Sequence, residues 1–328
     1  MKQVIKLNIL ILGSNIDGTR IADEINHLQL KATNHFIRDE ANISDQELAD
    51  VDIILGWDKP VVTKILAMPN AKLKWIQAYS AGVDYYPLQQ LAKRNVLLSN
   101  VSGIHAEPIS ENVLGMILSF YRGIHTAATH QSSGQWTIPD HQLETIAGKK
   151  MVIFGTGHIG SRIAQLAAAF NLSITGVNHS GHPVKDFPAT ISIDALDSQP
   201  VREADIIVNT MPLTAQTTGF FNHSFFDLVD NQPLFVTIGR GPSTVTADLV
   251  LALQNHQLGG AALDVTDPEP LPSTSPLWQM PNVIITPHIS GLYQNYFKDA
   301  INIFAENLKQ FETDGTLKRN EVNLSAGY

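Results

Sequence analysis

The sequence predicts an α/β fold with parallel sheets, arranged in two domains, on three observations. The chain has 328 residues, more than a single hydrophobic core usually serves. Short apolar runs alternate with helical segments along its length, the pattern of βα units that pair in parallel. At its centre an apolar run, Met151 to Phe154, leads into Gly155-Thr156-Gly157-His158-Ile159-Gly160. Arg162 to Phe170 follows as a helix with Ile163, Leu166, Ala167 and Phe170 on one face.

Taken in order, residues 6–12 read as a strand ending at Gly13, and Thr19 to Leu28 as a helix. Gly13-Ser14-Asn15 resembles a phosphate turn only faintly and reads better as a plain strand-to-loop turn. Asp52 to Gly56, Leu73 to Ala78 and Asn95 to Ser99 are further strands, with a helix from Val61 to Met68 closed by Pro69-Asn70. Ile104 to about Gln131 reads as one long helical region, with Val113, Leu114, Ile117, Leu118 and Tyr121 at helical spacing. Beyond the glycine motif, strands are predicted at Leu172–Val177, Asp205–Asn209, Leu234–Ile238, Gly260–Val265 and Val283–Thr286. A helix over Thr246–Asn255 is expected to be capped by Thr246. A final helix over Gln294–Phe311 carries Ile301, Phe304 and Leu308 on one face.

Composition narrows the function classes. Hydrophobic residues make up 44% and charged residues 16%, as in ordinary globular proteins. A net charge of −9, from 31 acidic and 22 basic residues, argues against a nucleic-acid or acidic-membrane partner. With no cysteine there is no disulfide framework, thiolate metal site or cysteine nucleophile. No compact His/Asp/Glu ligand spacing is present, so no metal is expected. No apolar run approaches the roughly 18 residues of a membrane span, and the N-terminus reads as a first strand. The expected location is cytoplasmic.

The chemistry gathers at strand ends. Gly155 permits a tight strand-to-helix turn, Gly157 lets backbone approach a pyrophosphate, and Gly160 lets helix and strand pack closely. The helix N-terminus, with His158 and Ile159, then faces the phosphates. A lone glycine motif is a weak signal, but here strand, helix and a second strand all follow in place. Arg240, Glu269 and His288 each lie just beyond a predicted strand end, the edge where open α/β sheets bind ligands. The small-residue turn at Ser80-Ala81-Gly82 suits a carboxylate, although by itself it is equally a plain turn. His105, near the start of the long helical region, is a weaker candidate for a ligand contact, with an ordinary structural or solvated histidine the stronger reading.

Several motifs in order resemble the D-isomer-specific 2-hydroxyacid dehydrogenase family. They are Ser-Ala-Gly-Val-Asp at 80–84, Gly-Thr-Gly-His-Ile-Gly at 155–160, Met-Pro-Leu-Thr at 211–214 and Gly-Arg-Gly at 239–241. Ala-Leu-Asp-Val at 262–265, Glu269-Pro270, Ser-Pro-Leu-Trp at 275–278 and Thr-Pro-His-Ile-Ser at 286–290 continue the series. The resemblance implies two Rossmann-like, doubly wound parallel-sheet domains with an interdomain active-site cleft. It implies a discontinuous substrate domain at 1–100 plus 292–328, a dinucleotide domain at 101–291, and a homodimer formed through the latter. The implied reaction is hydride transfer between NAD(P)H and a 2-oxo acid to give a D-2-hydroxy acid. By position, Arg240 holds the substrate's carboxylate and carbonyl oxygen, and His288 is the proton donor. Glu269 orients His288, and the amides of Ser80, Ala81 and Gly82 take the carboxylate. Coenzyme contacts are carried over to Gly155, Gly157, His158, Ile159, Gly160, Asn178, His179, Ser180, Met211, Pro212, Thr217, Ile238, Gly239 and Asp264.

One position departs from the NAD pattern. The acidic residue that usually meets the adenosine ribose is Asn178 here, followed by His179-Ser180-Gly181-His182. Asn178 does not repel a 2′-phosphate, while His179 and Ser180 offer it hydrogen bonds. No arginine lies in the loop. The expected coenzyme is NADP, with NAD or dual use as the alternative. Gly103-Ile104-His105-Ala106 and Trp278 resemble the glyoxylate/hydroxypyruvate reductase branch. A phosphoglycerate dehydrogenase-type activity is the alternative, with the end of the chain at residue 328 counting against its feedback-regulated form. A second alternative is an NAD(H)-responsive scaffold on the same fold, against which the complete Arg240, Glu269, His288 set argues.

Overall fold

A computed structural model describes residues 6–12, 18–30, 34–37, 43–138 and 143–325. The Gly13-Ser14-Asn15 turn lies outside the described residues. Two compact units share the chain: Met1–Ile104 with Tyr293–Tyr328, and His105–Leu292.

The first unit holds strands β1 (Asn8–Ile11), β2 (His35–Ile37), β3 (Ile53–Leu55), β4 (Trp75–Gln77) and β5 (Leu97–Ser99). They form one parallel sheet in the order β2-β1-β3-β4-β5. Alternate strand residues bury opposite faces, because successive Cβ atoms leave a strand on opposite sides. Leu10, Ile54, Ile76 and Leu98 pack with Leu48, Val62, Ile65 and Leu91 from α2 (Asp45–Ala49), α3 (Lys59–Ala67) and α4 (Leu88–Lys93). Ile9, Ile11, Ile53 and Trp75 pack instead against Ile21 and Ile25 of α1 (Gly18–His27) and Ile301, Phe304 and Leu308 of α11 (Tyr296–Asp314). The order is that of a doubly wound sheet, whose switch point lies between β1 and β3.

The second unit is built on seven parallel strands: β6 (Lys150–Phe154), β7 (Ser173–Asn178), β8 (Ala189–Ser192), β9 (Ile206–Asn209), β10 (Leu234–Thr237), β11 (Gly260–Leu263) and β12 (Val283–Ile285). Their order is β12-β11-β10-β9-β6-β7-β8. Taken from β6, this is the Rossmann arrangement with one strand added at the far edge. Met151, Ile153, Ile206, Val208 and Val236 face α5 (Ala106–Tyr121) and α7 (His158–Ala169), while Val152, Phe154, Ile207 and Phe235 face a phenylalanine-rich layer containing Phe221, Phe225 and Phe226. Strands apolar on both faces must be covered on both, which is why a parallel sheet takes helices on each side.

Three sequence expectations are corrected. The long helical region is two helices, α5 and α6 (Ile124–Ser132), separated at Gly123, whose left-handed φ of 64° ends the first helix where a side chain would be strained. The helix after the glycine turn starts at His158 rather than Arg162, so the first-turn amides come from the motif itself. Thr246 does not cap its helix α10 (Thr246–Gln254): the cap position is Val245, and the Thr246 hydroxyl donates to the Asp267 carbonyl at 2.7 Å.

Candidate active site

The strand register of the second unit aligns Phe154 with Asn209, Asn209 with Thr237, Thr237 with Leu263, and Leu263 with Ile285. Every motif segment of this unit therefore leaves the same edge of the sheet. The switch point, where connections diverge to opposite sides, falls between β6 and β9.

Three glycines shape that point. A Cβ on Gly160 would lie 2.0 Å from the Gly155 carbonyl oxygen, so only glycine lets the start of α7 sit against the turn. Gly155 has φ 100°, and its Cβ would lie 2.5 Å from the Thr210 hydroxyl, which itself donates to the Phe154 and Gly155 carbonyls. Gly157 is different, because a Cβ there meets nothing within 4 Å. Open space over Gly157, with His158, Ile159 and Gly160 forming the first turn of α7, is the cradle a pyrophosphate needs. The residues present fit a dinucleotide.

Neighbouring strand ends are joined by a buried amide that sequence reading missed. Asn209 donates to the hydroxyls of Thr237 (3.1 Å) and Ser243 (2.9 Å) and accepts from Met211 N–H (3.0 Å). It thereby sets the Met211-Pro212 loop against the start of the Ile238-Gly239-Arg240 segment. Thr217, carried over as a coenzyme contact, donates its hydroxyl to the Pro212 carbonyl at 2.7 Å and accepts from Thr214 N–H at 2.8 Å, so it shapes this loop from inside.

Arg240 is flanked by two close backbone approaches. A Cβ on Gly239 would lie 2.6 Å from the Met211 carbonyl, and one on Gly241 only 1.8 Å from the Thr266 carbonyl. The Gly-Arg-Gly motif is thus two contact points with the arginine between them. The second contact sets this segment against the loop carrying Glu269. Glu269 Oε1 accepts from Thr266 N–H (3.0 Å), while Oε2 lies 3.0 Å from His288 Nδ1. A ring held at Nδ1 by a carboxylate keeps Nε2 as the group that exchanges a proton with a ligand.

His288 has φ 53°, uncommon for a residue with a side chain. The Asp264 carboxylate stabilises the loop that imposes it. Asp264 is 2% exposed. Its Oδ1 accepts from the Thr286 hydroxyl (2.6 Å) and Ile289 N–H (3.0 Å), and its Oδ2 from Ser290 N–H (3.1 Å) and the Ser290 hydroxyl. The His288 N–H itself donates to the Asp264 and Thr286 carbonyls. Asp264, carried over as a coenzyme contact, has both oxygens occupied by the histidine loop. His105 is buried, and its ring packs on the same loop: a Cβ on Gly291 would lie 3.0 Å from its Cδ2.

At the end of β7, Asn178 braces its own loop. Its Oδ1 accepts from Gly181 N–H (2.7 Å), and its Nδ2 donates to the His182 carbonyl (2.9 Å) and reaches Thr156 Oγ1 (3.3 Å). His179, Ser180 and His182 are exposed.

In the first unit, the Ser80-Ala81-Gly82 turn follows β4. The Ser80 carbonyl accepts from Val101 N–H, the Ala81 carbonyl from Asn100 Nδ2 (2.9 Å), and the Gly82 carbonyl from the Ser80 hydroxyl (2.7 Å). In a trans peptide the N–H points opposite to the C=O, so the amides of Ala81, Gly82 and Val83 point away from these partners. Beside the turn stands an aromatic group the sequence did not flag. The Trp57 ring centroid is 4.2 Å from that of Tyr86, Tyr85 is 4.8 Å from Tyr86, and the Tyr85 hydroxyl is 2.6 Å from Ser80 Oγ.

Residues 114–290, more than half of the chain, match the family described as "D-isomer specific 2-hydroxyacid dehydrogenase, NAD binding domain". Over 251 residues, 75% of this chain and 76% of the relative, the sequence is 32% identical to glyoxylate/hydroxypyruvate reductase B of Escherichia fergusonii. Among solved structures, phosphoglycerate dehydrogenase from Lactobacillus plantarum is 39% identical, with a TM-score of 0.57 over 96% of this chain and 100% of that one. The NADPH-dependent glyoxylate/hydroxypyruvate reductase of Sinorhizobium meliloti, solved with NADP and sulfate, is 25% identical, with a TM-score of 0.79 over 98% and 100%.

Proposed function

The chain belongs to the D-isomer specific 2-hydroxyacid dehydrogenase family, and on that premise we propose that it reduces a small 2-oxo acid to the D-2-hydroxy acid with NAD(P)H. The observation that carries the proposal is the Glu269–His288 pair at 3.0 Å, on the same sheet edge as the glycine turn. Bound NAD(P)H supplies the hydride. Arg240 binds the substrate carboxylate and carbonyl through its planar fork of donors, a match that a lysine point charge lacks. His288 Nε2 gives its proton to the oxygen that becomes the hydroxyl, and takes it back in the oxidation direction. Glu269 keeps the ring oriented through Nδ1. The amides of Ser80, Ala81 and Gly82 in the first unit are the second proposed carboxylate seat. NADP is the proposed preferred coenzyme, consistent with the absence of a carboxylate at Asn178 and with relatives solved with NADP.

Glyoxylate and hydroxypyruvate are the proposed substrates, following the relatives of that name. A phosphoglycerate dehydrogenase-type activity is the second reading, favoured by the 39% identity to the enzyme so named. A homodimer and a cytoplasmic location complete the proposal. The exposed Ile124, Trp136, Ile138 and Leu143 are consistent with such a dimer.

A panel of glyoxylate, hydroxypyruvate, phosphohydroxypyruvate and phenylpyruvate, followed by NAD(P)H absorbance with each coenzyme, tests the activity. Turnover of none of them refutes it and favours a scaffold. His288→Ala should lower kcat by about 10²–10⁴-fold with coenzyme binding unchanged. Near-normal turnover in that variant removes His288 from the chemistry.

A further inference from the structure

The aromatic group beside the Ser80-Ala81-Gly82 turn stands at the carboxyl edge of the first unit's sheet. Leu55 at the end of β3 pairs with Gln77 at the end of β4. Trp57, just past β3, and Ser80, just past β4, therefore leave neighbouring strands on the same edge. The switch point between β1 and β3 is next to them, and doubly wound sheets take their ligands there. The backbone that carries Trp57 is fixed on both sides. Gly56 N–H donates to the Gln77 carbonyl at 2.8 Å, and a Cβ on Gly56, whose φ is 104°, would lie 2.3 Å from the Leu12 carbonyl oxygen. On the other side Asp58 caps α3, accepting from Val61 N–H at 2.9 Å.

Tyr86 is the base of the group, buried in the core of the unit with Trp57 packed against it. Trp57 is half-buried and Tyr85 is 46% exposed; their ring planes meet at 60° with centroids 5.7 Å apart. The Tyr85 ring is held at the turn by its hydroxyl. Ser80 Oγ donates its one proton to the Gly82 carbonyl at 2.7 Å, so in the 2.6 Å contact between the two hydroxyls Tyr85 is the donor. The phenol proton is thereby committed to the residue that opens the proposed carboxylate seat, which leaves ring surface to meet a ligand.

We propose that Trp57 and Tyr85 seat the side chain of the 2-oxo acid, so that the substrate range extends to 2-oxo acids with an aromatic ring on C3. The proposal rests on the reductase reading and on the carboxylate seat at Ser80 to Gly82, and it adds the chemical class of the side chain. C3 is two bonds from the carboxylate carbon, and Tyr85 is one hydrogen bond from the turn, so a ring on C3 reaches the corner while the carboxylate stays seated. Burying the ring against Trp57 and Tyr85 removes apolar surface from water, and tilted or offset contact between rings adds to that gain. Because the corner is fixed before a ligand arrives, little of the gain is lost to ordering it. Pyruvate lacks the ring and glyoxylate lacks C3 altogether, so neither draws on the corner in this way.

Steady-state rates of the full-length protein with phenylpyruvate, pyruvate and glyoxylate test this. Phenylpyruvate should exceed pyruvate in kcat/KM by at least about tenfold, with most of the difference in KM. Trp57→Ala and Tyr85→Ala should each lower that ratio by about tenfold, again through KM, and Trp57→Phe should keep most of it. Side chains that only cap the core would lower the rates with all three acids together and leave the ratios unchanged. Inhibition of glyoxylate reduction by phenylacetate and by acetate makes the same comparison on the wild-type protein, where phenylacetate should bind about tenfold more tightly. A phenylpyruvate-to-pyruvate ratio near one, phenylacetate no tighter than acetate, or a ratio unchanged in both alanine variants overturns the proposal while glyoxylate turnover leaves the reductase reading standing. Turnover of no 2-oxo acid removes that reading and this proposal with it.

Discussion

Asp264→Asn separates two roles for one carboxylate: holding the His288 loop, or touching coenzyme. The substitution keeps the shape and replaces one acceptor oxygen with an NH2 donor. Around Oδ1 lie the Thr286 hydroxyl, Ile289 N–H and, at 3.3 Å, Ser290 N–H; around Oδ2 lie Ser290 N–H at 3.1 Å and the Ser290 hydroxyl. A hydroxyl can turn and accept, whereas a backbone N–H cannot. The amide therefore settles with its nitrogen on the Oδ2 side. One backbone bond is lost there, and the remaining bonds pass from charge-assisted to neutral. The lost backbone bond to a charged group contributes about 1.5–3 kcal/mol, and the weakening of the others is largely offset by no longer burying a charge, so the loss is about 2–4 kcal/mol. For a unit of this size that lowers Tm by roughly 5–15 °C, measurable by scanning fluorimetry on coenzyme-free protein. Turnover should fall by about 10²-fold as the left-handed backbone at His288 relaxes and the ring leaves its productive position. A pure coenzyme contact predicts a different outcome, with the coenzyme-free Tm unchanged and KM for NAD(P)H raised. An unchanged Tm with kcat/KM within about twofold of wild type would refute both the clamp and the magnitude derived from it.

Two further substitutions use the glycine turn and one helix pair. Gly160→Ala places a Cβ 2.0 Å from a backbone carbonyl and should destabilise the second unit, whereas Gly157→Ala enters open space and should keep Tm while weakening NAD(P)H binding at least about tenfold. Fluorescence titration and thermal melts of the two variants check the contrast, and equal Tm values for both would contradict it. Glu107 pairs with Arg162 between α5 and α7, and the guanidinium holds its carboxyl below the usual range. A carboxyl lowered in the folded state stabilises above its unfolded pKa, and that contribution disappears as pH falls through the folded value. The pair is largely exposed, so Glu107→Gln should lower Tm only slightly at neutral pH, and the difference should begin to shrink below about pH 4.5 and vanish once the folded carboxyl is itself protonated. A Tm difference that persists in acid would show that the charge is not its source.

Much of this arrangement was legible because its signals are periodic or local. The buried strands of the second unit stand out as apolar runs, since a sheet covered on both faces leaves no polar alternation to hide them. The glycine turn is local chemistry that spacing alone exposes. The elements that escaped are the short ones: β2 and β8 lie at sheet edges, and α2, α4, α8 (Gln199–Arg202) and α9 (His223–Phe226) have six residues or fewer. A helix of one or two turns carries too few apolar positions to show a period, and its stability comes from the sheet it packs on. The break at Gly123 was missed for a related reason. The apolar face of α5 runs up to Tyr121, and a single glycine leaves little trace in a periodic signal although its φ of 64° ends the helix.

The candidate site was legible in its proposed reacting groups and not in what holds them. Arg240, Glu269 and His288 are visible because each is a polar residue just past an apolar strand. Asn209 and Asp264 are equally close to strand ends, but as the last residue of β9 and the first after β11 they look like polar punctuation or ligand contacts. Their role depends on partners far along the chain: Thr237 and Ser243 for Asn209, Thr286 and Ser290 for Asp264. Both are buried, and a buried polar group without partners is costly. Each must therefore find donors and acceptors among neighbouring strand ends, and in doing so it fixes the loops that carry Arg240 and His288. The same requirement makes the two residues sensitive probes. A substitution at either leaves every proposed reacting side chain in the sequence and removes the geometry that brings their loops together.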